Sequence, residues 1–176
     1  MKKTKKLVFL SLLVSIALII YIVEAQLPVL VSGVPGIKLG LANSISLFAL
    51  IMLGSKEALL IMLLRTTLGS FLGGTMSSFL YSIAGGLLSN LVMILLYKKF
   101  SHNLSLWSIS VCGAIFHNIG QLLVAALVIQ DFRIYLYLPV LMIASIITGY
   151  FIGVGTNYLY KHIEKVPLFK NLKTLD

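Results

Sequence analysis

Arg65 is the sharpest chemical feature of this chain. It lies in the apolar run Glu57–Leu72, eight residues beyond Glu57, which on a helix is ~12 Å along the axis. At that depth in a bilayer a guanidinium costs at least ~2.5–3.5 kcal/mol on insertion scales. It therefore needs an acceptor or a water-filled cavity. One use is contact with an anionic or carbonyl-rich ligand; the plainer one is a bond to helix carbonyls or to Glu24. A second polar group, His117, Asn118 and Gln121, lies in another apolar run. His117 and Gln121 are one helical turn apart and share a face, and His117 is about eleven residues in from Leu106, again near mid-depth. Such side chains either line a polar cavity or act as interhelical glue. Lys38 and Asn43 belong to PGIKLGLAN (35–43). There Lys38 either snorkels to headgroups or caps the mouth of a pocket. This set is suited to substrate binding: one strong buried cation with almost no acid beside it does not make an acid–base pair.

Other chemistries lack their residues. The five acids, Glu24, Glu57, Asp131, Glu164 and Asp176, form no local motif for magnesium diphosphate. Cys112 is the single cysteine, which forbids an internal disulfide and a multi-cysteine metal site. His102, His117 and His162 are too dispersed for a local zinc motif, so no metal is expected. Neither a G-x-x-x-x-G-K-[ST] loop nor a G-x-S-x-G elbow is present. No cofactor is expected, and the chain reads as a non-enzyme.

The elements that must position these residues follow from composition. The chain has 176 residues, of which 59% are hydrophobic and 11% charged, with a mean hydropathy of +1.04. Soluble domains are roughly 45–50% apolar and about 25% charged, so a soluble globule and a disordered chain are both excluded. Spans of about 20 residues cross a bilayer. Apolar runs predict six, at about 7–23, 39–53, 57–72, 77–97, 106–129 and 134–160, forming one all-α membrane domain over 1–176. Val23 and Ala25 suit a signal-peptidase site, but the run before them is long for a signal core, so a first spanning helix is expected. The stretch 24–38 holds Pro28, Gly33, Pro35 and Gly36. These residues break helices and predict a re-entrant or interfacial segment.

Small residues mark expected helix contacts: Gly69 with Gly73, Gly85 with Gly86, and Gly149 with Gly153. Ser11 and Ser15 on the first span are candidates for contact with a partner subunit. The fourteen lysines and arginines then sort by topology. With the N-terminus inside, eleven fall on inner segments, Lys38 and Arg133 fall outside, and Arg65 lies within a span. That asymmetry follows the positive-inside rule, places both termini in the cytoplasm, and removes nucleic acid as a partner.

Four stretches together resemble a bacterial membrane family known both as heptaprenyl diphosphate synthase component I and as the Gx transporter family. They are PGIKLGLAN (35–43), KEALLIMLLRTTLGS (56–70), SFLYSIAGGLLSNLVM (78–93) and GAIFHNIGQL (113–122). That family is similar in turn to substrate-binding (S) components of energy-coupling factor transporters. The resemblance implies a six-helix S-component-like fold in the bacterial cytoplasmic (inner) membrane. It implies a coupling transmembrane subunit and two ATPases as partners, and a flavin or isoprenoid-quinone precursor as ligand. Prenyl synthases resemble one another in paired Asp-rich motifs, which two aspartates 45 residues apart do not supply. The synthase name therefore implies at most an accessory subunit or scaffold, for a prenyl synthase or a flavin-based extracellular electron-transfer assembly. S components also resemble one another in an alanine-x3-alanine motif on helix one, where this chain has Ser11 and Ser15.

Overall fold

The computed structural model describes residues 2–26, 38, 40–72 and 75–165. Six α-helices account for most of them: α1 Lys2–Ala25, α2 Asn43–Met52, α3 Ser55–Phe71, α4 Met76–Phe100, α5 Leu106–Ile129 and α6 Leu138–Ile163. A 3₁₀ segment, Phe132–Tyr137, precedes α6. No strand occurs among the described residues. Four helical segments are long and apolar enough to cross a membrane: Thr4–Ala25, Met76–Phe100, Leu106–Ile129 and Phe132–Ile163. Residues 27–37 of the expected re-entrant segment, and Gly73, lie outside the described residues, while its first residues, Glu24 and Ala25, end α1.

The second expected span, 39–53, is the largest difference from the sequence reading. Helix α2 has only 10 residues, about 15 Å, half the ~30 Å apolar core of a bilayer. The cause is local. Gly40 has φ +83°, a left-handed conformation that ends regular helix. In addition, the Glu24 carboxylate accepts the Gly40 and Leu41 N–H groups, binding them outside any helical ladder. Helix α3 is also short, with 17 residues. The last expected span, 134–160, divides into the 3₁₀ segment and α6, with Pro139 at the start of α6, where its missing N–H is harmless.

Because α2 is short and apolar it sits inside the others. Nine of its ten residues are buried, and it touches α1, α3, α4, α5 and α6. Around it the long helices pack in the order α1, α3, α4, α5, α6, while α1 and α6 have no extended contact among the described residues. Glycines set the closest approaches. A Cβ on Gly120 would lie 2.9 Å from the Ala84 carbonyl, one on Gly149 2.7 Å from Val111 Cα, and one on Gly153 2.3 Å from Trp107 Cα. Gly86 sits against Met62 and Gly69 against the Tyr21 ring. At the end of the bundle bearing the start of α1, Lys6 Nζ pairs with Glu57 at 2.7 Å. Helices α4 and α5 begin with side-chain caps, Thr75 accepting from Ser78 N–H and Ser105 from Ser108 N–H, as such residues do at N-termini.

Candidate functional site

Five helices bring one residue or more to a common level around the first turn of α2. Arg65 reaches it from α3, ten residues into that helix, and His117 from α5, eleven residues in. Arg65 Nη2 donates to Asn43 Oδ1 at 2.7 Å, and Asn43 Nδ2 donates to Ser89 Oγ of α4 at 3.3 Å. Glu24, a candidate partner for Arg65, spends its carboxylate on the Gly40 and Leu41 N–H groups. It still lies close enough to act electrostatically on Arg65 and Lys38. Arg65 Nε is buried without a hydrogen-bond partner among the described residues.

Lys38 lies across this cluster. Its N–H donates to Gln121 Oε1 at 2.9 Å, and its ammonium sits 3.1 Å from the centroid of the Tyr21 ring, a cation–π contact. Tyr21 is held in turn by its hydroxyl, 3.3 Å from Ser82 Oγ, and by the absence of a side chain at Gly69. Gly40 must be glycine on two counts. Its φ is left-handed, and a Cβ there would fall 2.8 Å from His117 Cδ2.

The Gln121 amide determines the state of His117. A backbone N–H can only donate, so Gln121 must turn its oxygen to Lys38. Its NH₂ group then faces His117 Nε2, with which it is hydrogen-bonded. That ring nitrogen must accept, so the proton resides on Nδ1 and the imidazole is neutral. Charge can then be counted. Arg65, Lys38 and Glu24 are the Lys, Arg, Asp and Glu side chains buried among the described residues, 2%, 8% and 5% exposed. Two cations face one carboxylate. The excess is one positive charge, inside a bundle where unpaired charge is costly.

Of the residues singled out in the sequence, Arg65, Asn43, Lys38, His117 and Gln121 meet here. Asn118 does not. It turns to α6, where Nδ2 donates to Ser145 Oγ at 2.6 Å and to the Leu141 carbonyl at 3.2 Å. Gly85 lies against His117 and Gln121, which lets α5 bring both side chains up to α4. Ser11 and Ser15 are exposed on α1 and bond back to the Leu7 and Ser11 carbonyls. Tyr21 was not singled out in the sequence, and Ser89 was read there as a helix-packing residue. The signal for Tyr21 was its place three residues before Glu24, on one face of the first span. No group of three or more His, Cys, Asp or Glu able to hold a metal occurs among the described residues.

Residues 13–159, which contain every member of this cluster, match the family described as heptaprenyl diphosphate synthase component I. The chain belongs to that family. No curated protein and no solved structure matches it. The family's description names a component of a synthase. Its residues in this chain form a helical, strongly apolar fold, with four helical segments long and apolar enough to cross a membrane among the described residues, as befits a membrane protein.

Proposed function

We propose that this protein captures a small anionic or carbonyl-bearing molecule within the membrane, at the Arg65–Asn43–Lys38 cluster. The observation that carries the reading is the excess buried charge, with Arg65 Nε lacking an acceptor among the described residues. Arg65 and Lys38 supply the charge, Asn43 orients the guanidinium, and Gln121 and neutral His117 hold the strap of chain at Lys38 over the site. Both termini are read as cytoplasmic, in a bacterial inner membrane. The protein then works as an S-component-like subunit by alternating access, coupled to a transmembrane partner and two ATPases. Native mass spectrometry of purified protein tests the reading. An anionic molecule should be retained by the wild type and lost from Arg65→Ala; equal retention by both would sink it.

The family's description favours a second reading, an accessory membrane subunit that recruits a soluble prenyl synthase. Affinity purification from detergent extract separates the two. Recovery of two ATPases supports capture and transport, and recovery of a soluble synthase supports the accessory role.

A further inference from the structure

The outer surface of the bundle carries one feature that helix packing does not explain. Where α1 and α6 fail to meet, a groove of ≈ 400 Å³ runs along α2, with Ile20, Leu41, Phe48, Ile152, Gly155 and Leu159 among its walls. Gly155 stands apart from the other α6 glycines. Gly149 and Gly153 face Val111 and Trp107 at close range, whereas a Cβ on Gly155 would meet nothing within 4 Å. A glycine inside a helix is costly relative to alanine, and no contact among the described residues accounts for this one. What it does is leave the groove wall clear.

The groove ends at the polar cluster. Leu41 is one of its walls, and the Leu41 N–H is held by Glu24. Gly40, the next residue back, lies against His117. Asn43 is on the far side of the same turn, bonded to Arg65. A single turn of chain, 40–44, therefore has buried cations on one side and an apolar channel on the other. Gly40, packed against His117 and Asn43, fills the crossing point, so one molecule reaches both sides by displacing this turn.

We infer that the molecule held at Arg65 is an amphiphile with one apolar chain, and that this chain lies in the groove between α1 and α6. The inference rests on the reading of the cluster as an anion site. Charge complementarity selects a monoanionic head, because the buried excess is one positive charge. Lipid tails are as apolar as the groove, so burial there gains little over the bilayer. The groove orients the chain so that the head reaches Arg65, and filling the groove therefore weakens the head contact.

Tritiated oleate, a monoanion with one chain, is the probe, with saturable binding to purified protein followed by scintillation proximity. A Cβ at Gly155 meets nothing within 4 Å, so Gly155→Leu adds its bulk to the groove from a clear position. Val154→Leu places the same side chain one position away on α6, outside the groove walls, and serves as the control. Wild type and Val154→Leu should bind alike, while Gly155→Leu and Arg65→Ala should each bind at least tenfold more weakly, with the thermal midpoint of Gly155→Leu not lowered. Loss in Arg65→Ala but not in Gly155→Leu overturns the groove assignment and leaves the anion site standing. Binding indifferent to both variants marks an ordinary lipid contact and overturns the inference. So does the absence of saturable oleate binding by the wild type, in which case the anion site is still judged by its own retention experiment.

Discussion

Arg65 Nη2 meets Asn43 Oδ1 at 2.7 Å, joining the middle of α3 to the first residue of α2. This bond gives the guanidinium a neutral acceptor and no counter-charge. Asn43→Asp supplies the missing charge at the same place. A buried charge that lacks compensation is destabilising, and pairing it relieves that cost. The variant should therefore unfold at a higher temperature in detergent, while retention of an anionic ligand falls at least ~tenfold, the equivalent of about 1.4 kcal/mol. A variant that is stabilised and binds normally would show that the excess charge is not what holds the ligand.

Gln121 joins His117 to the backbone of Lys38. Gln121→Leu leaves that buried N–H unpaired, a loss of ~1–3 kcal/mol. Amide exchange in peptides covering 38–42 should accelerate at least ~tenfold, since each 1.4 kcal/mol is a factor of ten. Gln121→Glu keeps an oxygen for Lys38 and should keep the protection. Unchanged exchange in Gln121→Leu would mean that Glu24 alone holds the strap.

Much of this arrangement was legible because depth on a helix is simple arithmetic. Counting from Glu57 and from Leu106 brought Arg65 and His117 to one level, and α5 spans Leu106–Ile129 as the apolar run predicts. What escaped the count was long-range. Nothing local to 39–53 reveals that Glu24, on another helix, takes the N–H groups of Gly40 and Leu41 and cuts the second helix to ten residues. Asn118 escaped for a different reason. Adjacent residues project about 100° apart on a helix, so a neighbour of His117 points elsewhere, here to Ser145. Tyr21 looked like one more aromatic in an apolar span until Lys38 was found over its ring.

Gly69 makes Tyr21 possible. A Cβ there would fall 2.3 Å from Tyr21 Cδ1, so the ring must shift. Overpacking of this kind costs typically about 1–3 kcal/mol. Gly69→Ala should lower the thermal midpoint and, by moving the ring from under Lys38, weaken ligand retention. Restoring room with Tyr21→Leu in the same chain should recover stability but not the cation–π contact. If the single variant melts like the wild type, α1 and α3 are not in this close contact.

Asn118 and Ser145 should behave as packing polar groups between α5 and α6. Their coupling in a double-mutant cycle should be near the ~0.6 kcal/mol average for such bonds in membrane proteins, with ~1.7 as a ceiling. Ligand retention should follow Arg65 and not Asn118. A large loss of ligand in Asn118→Ala, with stability intact, would return Asn118 to the binding shell.

Asp131 tests local electrostatics outside the membrane-spanning segments. The Arg133 backbone N–H donates to its carboxylate at 2.9 Å, and the guanidinium Nε lies 3.2 Å away. First the backbone bond and then the side chain hold its carboxyl below the ordinary carboxylate range. A depressed folded-state value means the contribution to stability is fully present above the unfolded value of about 3.9. It is lost as pH falls through the folded value, so the window lies below about pH 4. Asp131 and Asp176 are the only aspartates, so ¹³C-aspartate labelling gives two carboxyl signals to titrate. The Asp131 signal should titrate below the ordinary carboxylate range. Arg133→Ala should raise the Asp131 midpoint only part of the way, because the backbone N–H stays in place. A full return to the ordinary value would show that the guanidinium, not the backbone, governs the carboxylate.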